Sequence, residues 1–187
     1  AEQPFNNRAP TFTVPALGSI YGLGYWKQAE HPENGRWLGF FYGLLAGSMA
    51  LVVIARDGVL FLMAWEVMAL AAYFALATEE DNPEVRRVSW VYLVATHIGT
   101  LCLFAMFALW WNATGSFTLE PGQAIPIAPA GAIFVMALIG FSFKAGLFPL
   151  HFWLPGAHAN APSHLSAVMS GVLLKTGVYG IVRMISL

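Results

Sequence analysis

Charge is what this sequence has least of. Only 10% of its 187 residues are Asp, Glu, Lys or Arg, and nine basic against ten acidic side chains leave a formal net charge of −1. Those few charges cluster between apolar runs instead of forming a basic stripe, so the chain has no footprint for nucleic acid and we expect no nucleic-acid partner. Cysteine is nearly absent as well. Cys102 stands alone in an apolar run, with nothing nearby at metal-ligand spacing, which leaves it the part of a small core residue and gives no sign of a metal site or of compartment. The opening decapeptide AEQPFNNRAP has no initiator Met, no basic n-region and no apolar h-region, so it is not a signal peptide, and we expect the chain to start partway through a longer reading frame. No short repeat or low-complexity segment is present.

What fills the sequence is apolar. At 58% hydrophobic residues and a mean hydropathy of +0.63, the chain is far more apolar than a soluble domain of this length, and it reads as an integral membrane protein. The expected fold class is all-α, a polytopic transmembrane bundle of five spans. Residues 1–36 form an N-terminal segment in which PALGSIYGLGYW, Pro15 to Trp26, is too short to cross a bilayer alone and reads as the end of a truncated span, followed by the polar loop KQAEHPENGR. Residues 37–187 hold the five spans: Trp37 to Ala55, Gly58 to Thr78, Val88 to Trp111, Ala130 to Leu154 and Ser163 to Leu187. Asn82 followed by Pro83 predicts the cap and first position of the third helix, and Pro155 to Pro162 is expected to turn the chain between the last two. Trp37, Trp90, Trp110, Trp111 and Trp153 fall near span ends, where an aromatic belt belongs. Lys27, Arg36, Arg86 and Arg87 lie on one side and Arg56 and Arg183 on the other, which favours the first side as cytoplasmic.

Against this background the ionisable residues inside spans stand out. Lys144 follows an uncharged run from Ala130, and Lys175 sits near the middle of the last span. A central Lys costs roughly 2.5–3.5 kcal/mol on insertion and usually faces a bundle interior or a water-filled path. Pro149 cannot donate to the carbonyl of Ala145, so the fourth span is expected to break near Phe148 to Leu150, one turn past Lys144, and discontinuous helices mark ion sites in transporters. Glu66 lies at similar depth in the second span, and these three groups should find one another. Glu66 is expected to approach Lys144 directly or through one water, because a lysine within reach keeps a buried carboxylate ionised. Such a pair is either a proton switch or a static ion pair that fixes packing. Lys175, disfavoured by burial and by Lys144, is expected to release its proton most easily of the three. His97 sits mid-span, and His151, His158 and His164 bracket the break and the turn after it. Each serves either packing or a proton path, and the eleven-residue spacing of His164 and Lys175 puts both on one helix face. Two histidines suffice to ligate a haem axially, but no spacing here sets a cross-helix pair.

The run FKAGLFPLHFWLPGAHANAPSHLSAVMSGVLLKTGVYGIVR closely resembles the antiporter-like proton-translocating membrane subunits shared by respiratory complex I, energy-converting hydrogenases and Mrp-type sodium/proton antiporters. AWEVMALAAYFAL resembles the glutamate-bearing helix of the same family, and LPGAHANAPSHLSAVMSGVLLKTGVYG looks most like hydrogenase-4 or formate hydrogenlyase type subunits. The resemblance implies that Glu66, Lys144 and Lys175 are proton-path residues, with His97, His158 and His164 as further candidates, and that the five helices are the first of two inverted repeats. It also implies a non-catalytic subunit without a cofactor or metal of its own, located in the cell inner membrane. Its partners would be other membrane subunits and peripheral redox subunits carrying hydrogenase or NADH–quinone oxidoreductase chemistry. The alternatives are a sodium/proton antiporter subunit of the same family and a purely structural membrane spacer.

Overall fold

In a computed structural model of the chain, which describes residues 8–25, 35–79, 81–120 and 127–187, the described residues are almost wholly helical and contain no strand beyond an isolated bridge between Asp57 and Thr118. Eight α-helices follow one another: α1 (Arg8–Tyr25), α2 (Gly35–Ile54), α3 (Gly58–Leu76), α4 (Pro83–Thr114), α5 (Ile127–Ala145), α6 (Leu154–Asn160), α7 (Ser163–Val168) and α8 (Leu174–Ile185). A π-helical turn, Met169–Leu173, joins α7 to α8 into one continuous rod from Ser163 to Ile185. That rod, α2, α3 and α4 are each long and apolar enough to cross a membrane, whereas the apolar helix Pro129–Ala145 is shorter. The chain is therefore a polytopic helical membrane bundle. Lys27 and the rest of the polar loop through Glu33 lie outside the described residues.

Local chemistry explains the boundaries. The Asp57 carboxylate accepts from the backbone N–H groups of Val59 and Leu60 at 2.9 and 3.2 Å, capping α3. Asn82 caps α4 through the Glu84 N–H at 2.9 Å with Pro83 directly after it, as the sequence predicts. Helix α4 ends at a left-handed Gly115. Its neighbour α5 packs closely against it where the chain offers no side chain: a Cβ on Gly99 would lie 2.9 Å from the Gly140 carbonyl oxygen, and one on Gly140 would lie 2.8 Å from that of Gly99. Helix α8 approaches α5 in the same way, since a Cβ on Gly177 would stand 2.6 Å from the Ala145 nitrogen and one on Gly180 would overlap the Phe141 ring.

The structure departs from the sequence reading at four places. First, α1 starts at Arg8 and runs through Pro15, whose carbonyl accepts from the buried Tyr42 hydroxyl of α2 at 2.9 Å. Second, the fourth span stops at Ala145, a turn ahead of Pro149, because Gly146 takes φ 64°, a left-handed conformation that ends helices at little cost for glycine. Third, the expected turn from Pro155 to Pro162 contains helix α6, with Pro155 in its first turn, where a missing N–H costs nothing. Fourth, only Trp37, Trp90 and Trp111 of the expected belt are exposed. Trp110 and Trp153 are core residues, packed inside the bundle.

Candidate functional site

The break after α5 leaves Lys144 on the last turn of a helix, its side chain 1% exposed. Leu147 donates its N–H to the Ser142 carbonyl at 3.1 Å, so the Phe143 carbonyl has lost its regular i+4 partner. Trp153, just past the break, supplies the replacement: its indole N–H donates to Phe143 O at 2.9 Å. The Trp153 ring in turn meets Tyr92 of α4 edge-on, with centroids 5.1 Å apart and planes at 72°. Lys144 Nζ donates to the Tyr92 hydroxyl at 2.9 Å. It also lies 5.3 Å from the Tyr92 ring centroid and 6.0 Å from that of Trp65 of α3, a range at which aromatic faces attract a cation.

Glu66 of α3 pairs elsewhere. Its Oε2 lies 3.3 Å from Nε2 of His97 on α4. The other ring nitrogen, Nδ1, is 2.9 Å from the Leu93 carbonyl, which can only accept, so Nδ1 carries a proton and Nε2 faces the carboxylate. Glu66 Oε1 is buried with no hydrogen-bond partner among the described residues. The Glu66 side chain is 24% exposed and that of His97 42%, so the pair is reached from the outer face of the bundle. Beside it lies a cavity of about 470 Å³ between α3 and α4, lined by Glu66 and by apolar side chains such as Leu62, Met63, Phe104 and Phe107. Trp65, whose ring lies 6.0 Å from Lys144 Nζ, is the residue directly before Glu66 on α3. The structure thus brings Glu66, His97 and Lys144 to one region, with Glu66 bonded to His97 and Lys144 bonded to Tyr92.

Lys175 is not part of that region. It is exposed on α8, facing away from α5, so the burial on which its expected easy deprotonation rests is absent. His164, by contrast, is 5% exposed, packed against Tyr42 at 5.5 Å and against α1 at Gly22. The two residues do not share a face, because the π turn between them absorbs one extra residue and rotates everything after it by about a third of a turn. His158 of α6 meets Ser166 of α7, Nδ1 to Oγ at 2.9 Å, and burial pushes its imidazole below the ordinary value. His151 and His164 each keep a buried Nδ1 without a hydrogen-bond partner among the described residues. No group of three or more His, Cys, Asp or Glu placed to hold a metal occurs among the described residues.

Tyr92 and Trp153 are the residues that sequence reasoning missed as neighbours of Lys144. A signal for Tyr92 existed: it lies seven residues before Gly99, and Lys144 lies four after Gly140, so a close antiparallel crossing at the two glycines puts them on facing sides within about one helical turn of each other, a gap their long side chains can span.

A helical bundle that buries a lysine at a helix break and sets a carboxylate–imidazole pair beside it defines a polytopic membrane protein organised around ionisable groups inside the bilayer. Residues 55–187 match the family described as "NADH:quinone oxidoreductase/Mrp antiporter, TM", and the chain belongs to it. It is 33% identical over 167 residues to hydrogenase-4 component B of Escherichia coli K12, covering 88% of this chain and 25% of that protein. It is 30% identical over 182 residues to NADH-quinone oxidoreductase subunit M of the same organism, covering 89% and 35%. Its fold matches a chain of an archaeal membrane-bound sulfane sulfur reductase complex with a TM-score of 0.80 at 24% identity, covering 91% of this chain and 36% of that one. The chain therefore spans a quarter to about a third of the length of these relatives.

Proposed function

We propose that this chain belongs to a proton-translocating membrane subunit, moving protons through Glu66, His97 and Lys144 and coupled to redox chemistry on partner subunits. The observation that carries the reading is Lys144, a lysine fully enclosed at a helix break and hydrogen-bonded to one neutral hydroxyl. A buried lysine in that setting is costly, and function is the ordinary reason for keeping one. The family supports proton movement, and relatives named as hydrogenase and NADH–quinone oxidoreductase subunits support a place in a multi-subunit complex of a bacterial inner membrane, with other membrane subunits and peripheral redox subunits as partners. His158, His164 and Lys175 belong to the proposed path as later steps: the two histidines by their place beside the break, Lys175 by facing outward, where a further helix would meet it. On this reading the chain binds no cofactor or metal.

The test is proton uptake into inverted vesicles holding the assembled complex. Lys144→Met keeps the volume and removes the charge, so the complex should assemble and oxidise its donor while proton uptake is lost. Uptake at the parental rate would overturn the reading. Sodium/proton exchange is the second reading, favoured by the antiporter half of the family description. A sodium gradient that alters uptake in the same vesicles would select it.

A further inference from the structure

Beyond the translocation reading, and resting on it, we propose that Tyr92 is a positioning residue: its hydroxyl, held by Trp153, is a resting seat that keeps the Lys144 ammonium off the Glu66–His97 pair. Three observations converge. The Tyr92 side chain is fully buried and its hydroxyl accepts from Lys144 Nζ at 2.9 Å. The Tyr92 ring is fixed edge-on against Trp153. Trp153 itself is pinned to the backbone carbonyl of Phe143, the residue before Lys144. The helix break and the lysine head are thereby joined: the indole that satisfies the orphaned carbonyl also orients the phenol that receives the ammonium.

The seat discriminates between charge states. A phenol oxygen accepts from an ammonium in a charge-assisted bond about twice as strong as the neutral one in which the same hydroxyl donates to the unprotonated amine. Glu66 is the competing partner: its Oε2 is paired with His97, and its Oε1, buried without a hydrogen-bond partner among the described residues, is not bonded to the lysine in this arrangement. While that engagement lasts, the protonated lysine rests on Tyr92. When His97 lets go of the carboxylate, Glu66 becomes the better acceptor and the ammonium can move to it, without displacement of the backbone. The ionisable groups around the lysine are Tyr92 of α4 in direct contact and Glu66 of α3, next in sequence to Trp65, whose ring the lysine approaches. His97 of α4 acts through Glu66, and α8, which packs on α5, turns Lys175 outward.

The experiment measures proton uptake against pH in vesicles carrying the whole complex, for Tyr92→Phe, with Lys144→Met as reference. Tyr92→Phe keeps the ring and its contact with Trp153. Removing the hydroxyl takes more stabilisation from the ammonium than from the neutral amine, so the alkaline limb of the pH profile should move down by roughly half a pH unit to one unit. A tyrosine that merely filled space would lower uptake by one factor at every pH. As a second variant, 4-aminophenylalanine at position 92 is isosteric and neutral with a poorer acceptor, and it should move the limb the same way by less. Limbs that superimpose on the parent for both replacements, with Lys144→Met inactive, would overturn the seat and leave the translocation reading standing. Lys144→Met pumping at the parental rate would overturn both.

Discussion

His97 Nε2 stands 3.3 Å from Glu66 Oε2 while the opposite ring nitrogen is fixed to the Leu93 carbonyl. Because Nδ1 already carries a proton, the contact needs one more proton between Nε2 and the carboxylate: either the imidazolium meets a carboxylate or the neutral ring meets a carboxylic acid. Either way the pair holds the same net charge, and moving that proton changes only its dipole.

Glu66→Gln retains the size and a carbonyl oxygen but cannot share that proton. We expect assembly to be preserved and proton uptake by the complex to fall by roughly a hundredfold, the lower end of what a positioned proton-transfer group contributes.

His97→Asn should lower uptake less than Glu66→Gln does, since the carboxylate that shares the proton keeps its place. Uptake for the two variants, measured in one vesicle preparation, gives the order. A loss in His97→Asn larger than in Glu66→Gln would contradict the arrangement.

Trp153→Phe removes the donor that satisfies the Phe143 carbonyl at the break. A buried carbonyl left unpaired costs about 1–3 kcal/mol, so thermal unfolding of the purified complex should shift downward even though the aromatic volume is nearly kept.

Gly180→Ala should destabilise the bundle by about 1–3 kcal/mol, because the new Cβ overlaps the Phe141 ring at the α5–α8 crossing. The same substitution at Gly39, where a Cβ would meet nothing, provides the control in the same thermal assay.

His158 gives a pH dependence. Burial holds its imidazole below the ordinary 6.5, so the unfolded chain binds the proton first as the pH falls. The neutral imidazole's contribution to stability is fully present above that ordinary value and declines below it. His158→Gln should flatten the acid side of the melting-temperature profile.

Much of the architecture was legible because apolar run length and punctuation are local signals. Asn82 and Pro83 announced the start of α4, and Pro149 announced a discontinuity beside Lys144, although the stop itself came from the left-handed Gly146. The depth of Glu66 and Lys144 also followed from counting residues. What could not be counted was partnership. Tyr92 meets Lys144 from 52 positions away, and the choice of His97 over Lys144 as the partner of Glu66 depends on which way two helices turn against each other. Tryptophan was ambiguous for a related reason: Trp111 on the lipid side and Trp110 in the core are adjacent in sequence and differ only in helix face.

The π turn also decides which changes of length the last rod tolerates. Straightening Met169–Leu173 at constant length would advance each later residue into the place of its successor, driving Thr176 into the gap kept by Gly177 and Tyr179 into that kept by Gly180, where α5 leaves no room. Deleting one residue from the same stretch would instead regularise the helix and leave Lys175 facing as it does. A one-residue gap there is therefore silent to the bundle, and chains of either length can be superposed lysine on lysine only if the gap is placed in that turn.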